Sequence, residues 1–459
     1  MARVNDLGKD AIPGLVLRIA IPSMLAQFVS VFYSIVDRIF VSSIPEVGEL
    51  ALAGVGVCGP IVTMVVSFAF LIGIGGTPLM GISLGERNKE KAQQILGNCF
   101  MMLCVLSVVL TAAVYLLREP MLRLFGASDV TYQYAESYFC TYICGTIFAL
   151  LSTGMNQFII CQGYAKTGMV AVMLGTVLNI ILDPVMIFVF DLGVQGAALA
   201  TVISQAASMF FVLCFLFGKR TNVKITFGNY NWNIMSRVLK LGFTPFAIIA
   251  VDNVMIIAMN ALLQKHGGAT QGDMLVTCNT IVQSFMLVVT MPLGGISGGT
   301  QCILSYNYGA CNCERVTKAH DFIRWLCAGY NTFMFTMVYL AGPAFISLFT
   351  KDQELAAQAF RAIKICTLAI IPLGVQYAII DGLTGMGQVQ LSLPLSFWRK
   401  AVYFISIFLL PEFFGAASVF FAEPISDILG PVVSIYICRK CLPGVLKSRE
   451  ENVALSPRH

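Results

Sequence analysis

The chain has 459 residues, 57% of them hydrophobic and only 12% charged, with a formal net charge of +5. Soluble domains carry about twice that charge, so a soluble globular fold is excluded and an integral membrane protein of spanning helices is indicated. With three histidines and a lone CRKC at Cys438 to Cys441, no second CxxC completes a four-ligand zinc site. No basic stripe with interleaved aromatics calls for nucleic acid.

Residues 1–18 are polar and mixed in charge, and the apolar run behind them is too long for the core of a signal peptide, so the first span is expected to stay. Twelve apolar runs follow, at roughly 15–42, 51–84, 94–117, 132–160, 168–190, 194–217, 237–264, 274–307, 317–342, 357–383, 391–411 and 417–438. Each reaches the ~20 residues a spanning helix needs. Most of the 15 cysteines, Cys58, Cys99 and Cys366 among them, lie in or beside these runs. There a thiol acts as a small hydrophobe, so they are expected to be reduced.

With the N-terminus inside, the 29 basic residues divide 22 to 7 in favour of the inner side. That bias places both termini in the cytoplasm. A shift of 223 residues brings Pro22 onto Pro245 and Gly75-Gly76-Thr77 onto Gly298-Gly299-Thr300; one further residue brings Asn88 and Glu90 onto Asn312 and Glu314. The chain therefore reads as all-α, with 12 transmembrane helices in two six-helix lobes that are parallel repeats, an arrangement found in secondary transporters. The expected organisation is an N-lobe at 1–218, a cytoplasmic linker at 219–236, a C-lobe at 237–440 and a cytoplasmic tail at 441–459.

The intramembrane acids are the candidate functional groups. The stretch Gly175 to Thr201 buries Asp183 in an apolar run, with Asn179 one turn before it and Thr176 another turn back. Pro184 follows and removes a backbone donor beside the acid. The first span carries Ser23, Gln27, Ser30, Ser34 and Asp37 on one face, a stripe that should line a cavity. Under the repeat, Asp37 falls on Asn260 and Asp183 on Ile407, so the N-terminal half alone owns this acid pair. Asp37, Asn179, Asp183 and Thr201 fall at similar depth and can converge, offering hard oxygen ligands to Na⁺ or a carboxyl that carries a proton. Interfacial snorkelling remains an alternative for Asp37.

The VDRIFV around Asp37, the LNIILDP ending at Pro184, the QGAALAT ending at Thr201, the GIGGTPLMGISLGERNKEKA after the second span and its copy GISGGTQCILSYNYGACNCER carry a likeness over nearly the whole chain. The sequence resembles the multidrug and toxic compound extrusion (MATE) family, in its DinF/MepA-like bacterial branch. The resemblance implies a V-shaped antiporter in the bacterial cytoplasmic membrane. It would export cationic amphipathic compounds by alternating access in exchange for H⁺ or Na⁺, with no enzymatic step. By motif it implies a cation site at Asp37, Asn179, Asp183 and Thr201, with Asn156 as a neighbour.

The second half adds Asp252, Glu423 and Asp427, which can line a cation-binding cavity with Met255, Met259, Gln283 and Met286, as can Gln27 and Ser34 from the first half. Most methionines at helical spacing are packing. Arg399 and Lys400 read as interface anchors at the inner start of the eleventh span, or as partners of Asp381. No GxxxxGK[ST] loop provides for ATP and no HExxH for metalloenzyme chemistry. No cofactor is expected beyond the coupling ion, and the expected partners are organic cations and the bilayer around a monomer. The rival reading is a lipid-linked glycan flippase, which would line its cavity with Arg and Lys. Cysteine labelling in a background cleared of native cysteines is expected to reach residues 219–240 and the C-terminal tail only from the cytoplasm; labelling of the linker from outside would reverse the topology.

Overall fold

The computed structural model describes residues 5–45 and 47–455, and among these every regular element is helical. The first half comprises α1 (Ile12–Ser42), α2 (Gly48–Gly85), α3 (Lys89–Leu116), the short α4 (Arg118–Leu124), α5 (Tyr132–Cys144), α6 (Thr146–Cys161), α7 (Ala165–Pro184) and α8 (Gly193–Phe217). The second comprises α9 (Trp232–Gly309), α10 (Cys313–Ile346), α11 (Gln353–Cys366), α12 (Ile370–Gly385), α13 (Val389–Phe414) and α14 (Ala422–Leu455). Gly268, at φ 63°, adopts a conformation that L side chains resist and divides α9 into the spans Trp232–Gly268 and Met274–Gly309.

Nine helices among the described residues have the length and apolarity of a span, and two bent pairs bring the number to eleven. The twelfth span is α10, 34 residues long, whose Tyr330, Asn331, Thr332 and Thr336 lower its apolarity. The repeat seen in the sequence recurs in local chemistry. Asn88 caps α3 by accepting from Lys91 N, and Asn312 caps α10 by accepting from Arg315 N. The two bent spans also match: α5 turns into α6 by 56° at Gly145, and α11 turns into α12 by 50° across residues 367–369, one repeat length later.

The chain forms two compact units. One contains Ile21–Ile249 with the segment up to Leu7, and the other contains Gly8–Ala20 with the chain from Ala250 onward. Each long opening helix is thus shared: the start of α1 belongs to the second unit and the start of α9 to the first. Within the second unit Arg315 donates to Asp10 O at 2.8 Å, and Arg18 pairs with Asp10 at 2.6 Å. Within the first, Asn231 N donates to Asn98 Oδ1 at 2.9 Å just before α9 begins. The core of the first unit is built on large buried side chains such as Phe139, Phe158, Leu96 and Leu103. The second packs Met259, Leu263, Phe285, Val289, Ile363 and Ile407 into one cluster.

Gly242 lets α9 lie directly on α2, since a Cβ at that position would fall 1.7 Å from Leu71 O. Backbone cannot retreat as a flexible side chain can. Gly242→Ala is therefore expected to lower stability by about 1–3 kcal/mol, the usual range for overpacking. Gly294→Ala, where nothing lies within 4 Å, should stay within about 0.5 kcal/mol. Thermal unfolding in detergent measures both, and equal midpoints would refute the close-packing account.

Candidate functional site

In the first unit α1, α7 and α8 bring four polar side chains together in an apolar setting. Asp183 is fully buried, Asn179 is 2% exposed and Thr201 is buried. The carboxyl groups of Asp37 and Asp183 are close neighbours. Two facing carboxylates repel unless a proton or a cation lies between them. The Asn179 amide satisfies both its ends in one orientation: it donates to Asp183 Oδ2 at 3.0 Å and to Tyr33 Oη at 3.1 Å, and accepts from Thr201 N at 3.1 Å. Thr201 Oγ1 donates to Ala197 O at 3.0 Å and lies 3.4 Å from Tyr33 Oη.

Local sequence explains the placement. Asn179 and Asp183 are one turn apart on α7, and Pro184 ends the regular helix, which continues as a π turn at Val185–Val189. Tyr33 and Asp37 are likewise one turn apart on α1. Asp37 Oδ1 is buried without a hydrogen-bond partner. An orphaned carboxylate oxygen beside Asp183 and the Thr201 hydroxyl is a donor set that fits a small hard cation.

Tyr33 is the member that sequence reasoning missed; its position four residues before Asp37 was the available signal. Behind it Tyr138 and Tyr142 stack with centroids 6.1 Å apart, and Gln205 donates to Tyr142 Oη at 3.4 Å. Asn156 lies elsewhere. Its Oδ1 is unpartnered and faces Gly168 near the start of α7, 11 residues before Asn179 and so roughly 16 Å along the helix. On α1, Gln27 is half-buried and Ser34 exposed.

The second unit holds its acids differently. Arg399 Nη1 pairs with Asp427 Oδ1 at 2.8 Å, both side chains largely buried, and Lys400 Nζ pairs with Asp252. This corrects the sequence reading of the two bases. They stand ten and eleven residues into α13, roughly 15 Å from its start, and neither takes Asp381, which accepts instead from Ser297. Met259, Gln283, Met286 and Glu423 line one recess together with Cys366, Tyr403, Val419 and Phe420. The Tyr403 hydroxyl donates to Met259 Sδ at 3.8 Å, and Met255 is buried in the neighbouring core. At the repeat-related positions, Asn260 accepts from Asn279 at 2.9 Å and Ile407 is fully buried.

Two six-span repeats around buried acids define a polytopic α-helical membrane transporter. The family model described as MatE matches residues 22–185 and 249–411, one match in each half, and the chain belongs to that family. It is 22% identical to Multidrug export protein MepA of Staphylococcus haemolyticus (strain JCSC1435), over 92% of each chain. It is 23% identical, with the same coverage, to the protein of that name from Staphylococcus aureus (strain MSSA476). Its fold matches a structure described as the outward-facing conformation of a multidrug resistance MATE family transporter of the MOP superfamily. That match has a TM-score of 0.90 at 21% identity, covering 97% of this chain and 100% of the other.

The buried Arg399–Asp427 pair makes a testable demand. Removing one partner strands the other charge, so Arg399→Met is expected to cost about 3–5 kcal/mol, whereas Arg399→Met with Asp427→Leu should recover most of it. A double-mutant cycle on thermal unfolding reads this, and additive losses would show that the two residues do not act as a pair.

Proposed function

We propose that the protein is a secondary active exporter that expels cationic amphipathic compounds in exchange for H⁺ or Na⁺, working by alternating access in the bacterial cytoplasmic membrane. The observation that carries this reading is the contact between Asp37 and Asp183, braced by Asn179, Tyr33 and Thr201. Such a pair can exchange a proton or Na⁺ for an empty state, and an exporter needs a site of this kind to draw on an ion gradient. The MepA relatives, named as multidrug export proteins, support the cargo side.

Coupling then follows from linkage: cargo prefers the cation-free state, so cation binding expels it, and the same coupling free energy operates in both directions. The flippase alternative needs bases free to meet an anionic headgroup. Arg399 and Lys400 are each already paired with an acid, which favours cationic cargo. Both termini inside, and a monomer as the working form, complete the proposal.

Transport of a cationic dye in proteoliposomes with separately imposed pH and Na⁺ gradients tests it. One gradient is expected to drive uptake against the dye gradient, and Asp37→Asn and Asp183→Asn should each abolish it in a protein that still inserts and folds. Cargo binding should weaken about 5- to 150-fold, the common span of coupling free energies, as pH is lowered or Na⁺ raised. Affinity indifferent to both ions would remove the carboxyl pair from the mechanism.

A further inference from the structure

The segment that joins α8 to α9 is held to the first unit along its length. Residues 221–226 alternate, with Thr221, Val223 and Ile225 buried and Asn222, Lys224 and Thr226 turned outward. At the end of α6, Gln162 accepts from Thr221 Oγ1 and from Val223 N, both at 2.8 Å, and donates to Val223 O at 3.3 Å. Tyr164 Oη donates to Arg220 O at 3.0 Å. From α3, Gln94 donates to Asn229 O at 2.8 Å, and Gly97 admits Thr226 O to within 2.4 Å of where a Cβ would stand. Every one of these holding groups is neutral, so the bases of the segment take no part in docking it.

Those bases are left without an answering charge. No acid occurs between Asp191 and Asp252, and among the described residues Lys219, Arg220, Lys224 and Arg237 form no ion pair. The second unit treats its corresponding bases differently: Arg18, Lys318, Arg324 and Lys447 each meet an acid, and Arg439 and Lys440 stand open as a smaller set. An excess of bases on the inner side accounts for their number in both units. It does not account for one unit pairing them and the other leaving them open.

Aromatic rings share the surface with these bases. Phe227 is 70% exposed, Tyr230 48% and Trp232 73%, and Phe227 stacks on Phe217, the last residue of α8, with centroids 5.9 Å apart. Phe217 ends one span and Trp232 begins the next. The segment therefore lies where a bilayer has its headgroups, the level that Tyr and Trp favour, and a membrane meets it rather than a nucleic acid.

We propose that the docked segment is a binding surface for anionic phospholipids, with Lys219, Arg220, Lys224 and Arg237 meeting the phosphates and Tyr230 and Trp232 seated among the headgroups. On the proposed topology the leaflet is the cytoplasmic one, but the binding depends neither on that nor on the exporter reading. Gln162 and Tyr164 tie the surface to the end of α6 and the start of α7. Lipid bound here is thereby connected to the helix that carries Asn179 and Asp183.

The chain has three tryptophans, so Trp325→Phe with Trp398→Phe leaves Trp232 as the sole indole beside the surface. In phosphatidylcholine bilayers containing phosphatidylglycerol, with one lipid or the other brominated, quenching reports which lipid lies against the ring. Phosphatidylglycerol is expected to be preferred at Trp232 by at least about fivefold, what one base near an anionic surface supplies. Lys219→Gln, Arg220→Gln, Lys224→Gln and Arg237→Gln combined should bring the preference close to unity, whereas Lys→Arg at 219 and 224 with Arg→Lys at 220 and 237 should keep it. A protein retaining only Trp325, on α10 of the second unit and 78% exposed, should show a preference below about twofold, as expected away from open bases. The bilayers are symmetric, so the orientation of the protein does not enter. Equal quenching by the two lipids at Trp232, the same preference at Trp325 as at Trp232, or a preference that survives the four glutamines would each overturn the proposal.

Discussion

A charge inside a bilayer has no water to answer it, so the protein must answer it from within. The two units satisfy that demand by opposite means. In the first, Asp37 and Asp183 are met by an amide, a hydroxyl, a phenol and each other. No ion pair to a base is formed by Asp183 among the described residues, although the charge of Arg38 is felt at Asp37. In the second, Asp252 and Asp427 are met by Lys400 and Arg399, fixed cations carried by the fold itself. One arrangement leaves Asp183 without an ion-pair partner, and the other pairs each of these two acids with a base. The asymmetry of a nearly symmetric scaffold therefore resides in how its buried acids are answered.

The repeat makes this asymmetry precise in residue terms. Where α1 carries Asp37, the equivalent place on α9 carries Asn260, which an amide from Asn279 satisfies. Where α7 carries Asp183, α13 carries Ile407, which disappears into the apolar cluster of its unit. The second half thus has neutral packing where the first has its acid pair, and its charges stand about two turns away. What both halves retain is mechanical: matching N-caps at Asn88 and Asn312, and matching bends at Gly145 and at 367–369. Interrupted spans in corresponding positions are a feature of transporter folds, where they leave backbone groups available within the membrane.

Much of this was legible in the sequence, because hydropathy over ~20 residues and a 223-residue repeat are long signals that average over local error. The twelve spans and the convergence of Asp37, Asn179, Asp183 and Thr201 were readable on those grounds. Tyr33 was not singled out because tyrosine is common in apolar helices, and only the Asn179 amide, reaching over from α7, gives its hydroxyl a purpose. Arg399 and Lys400 were placed at a membrane surface because paired bases near a span's start usually lie there. Their partners, Asp427 and Asp252, come from helices distant in sequence, and no local pattern announces them. Asn156, assigned by motif, shows the converse: it stands on α6, outside the three helices that build the site, and its amide oxygen faces Gly168.

The sharing of α1 and α9 between the units bears on how the two halves can fold. Residues 8–20 complete one unit and residues 232–249 the other, so each half of the chain lends the start of its first helix away. A polypeptide of one repeat would lack the segment that closes its own fold and would find it only on a second copy. Cutting the chain between the halves would therefore leave each piece short of the segment that completes its unit, so neither half is expected to fold without the other.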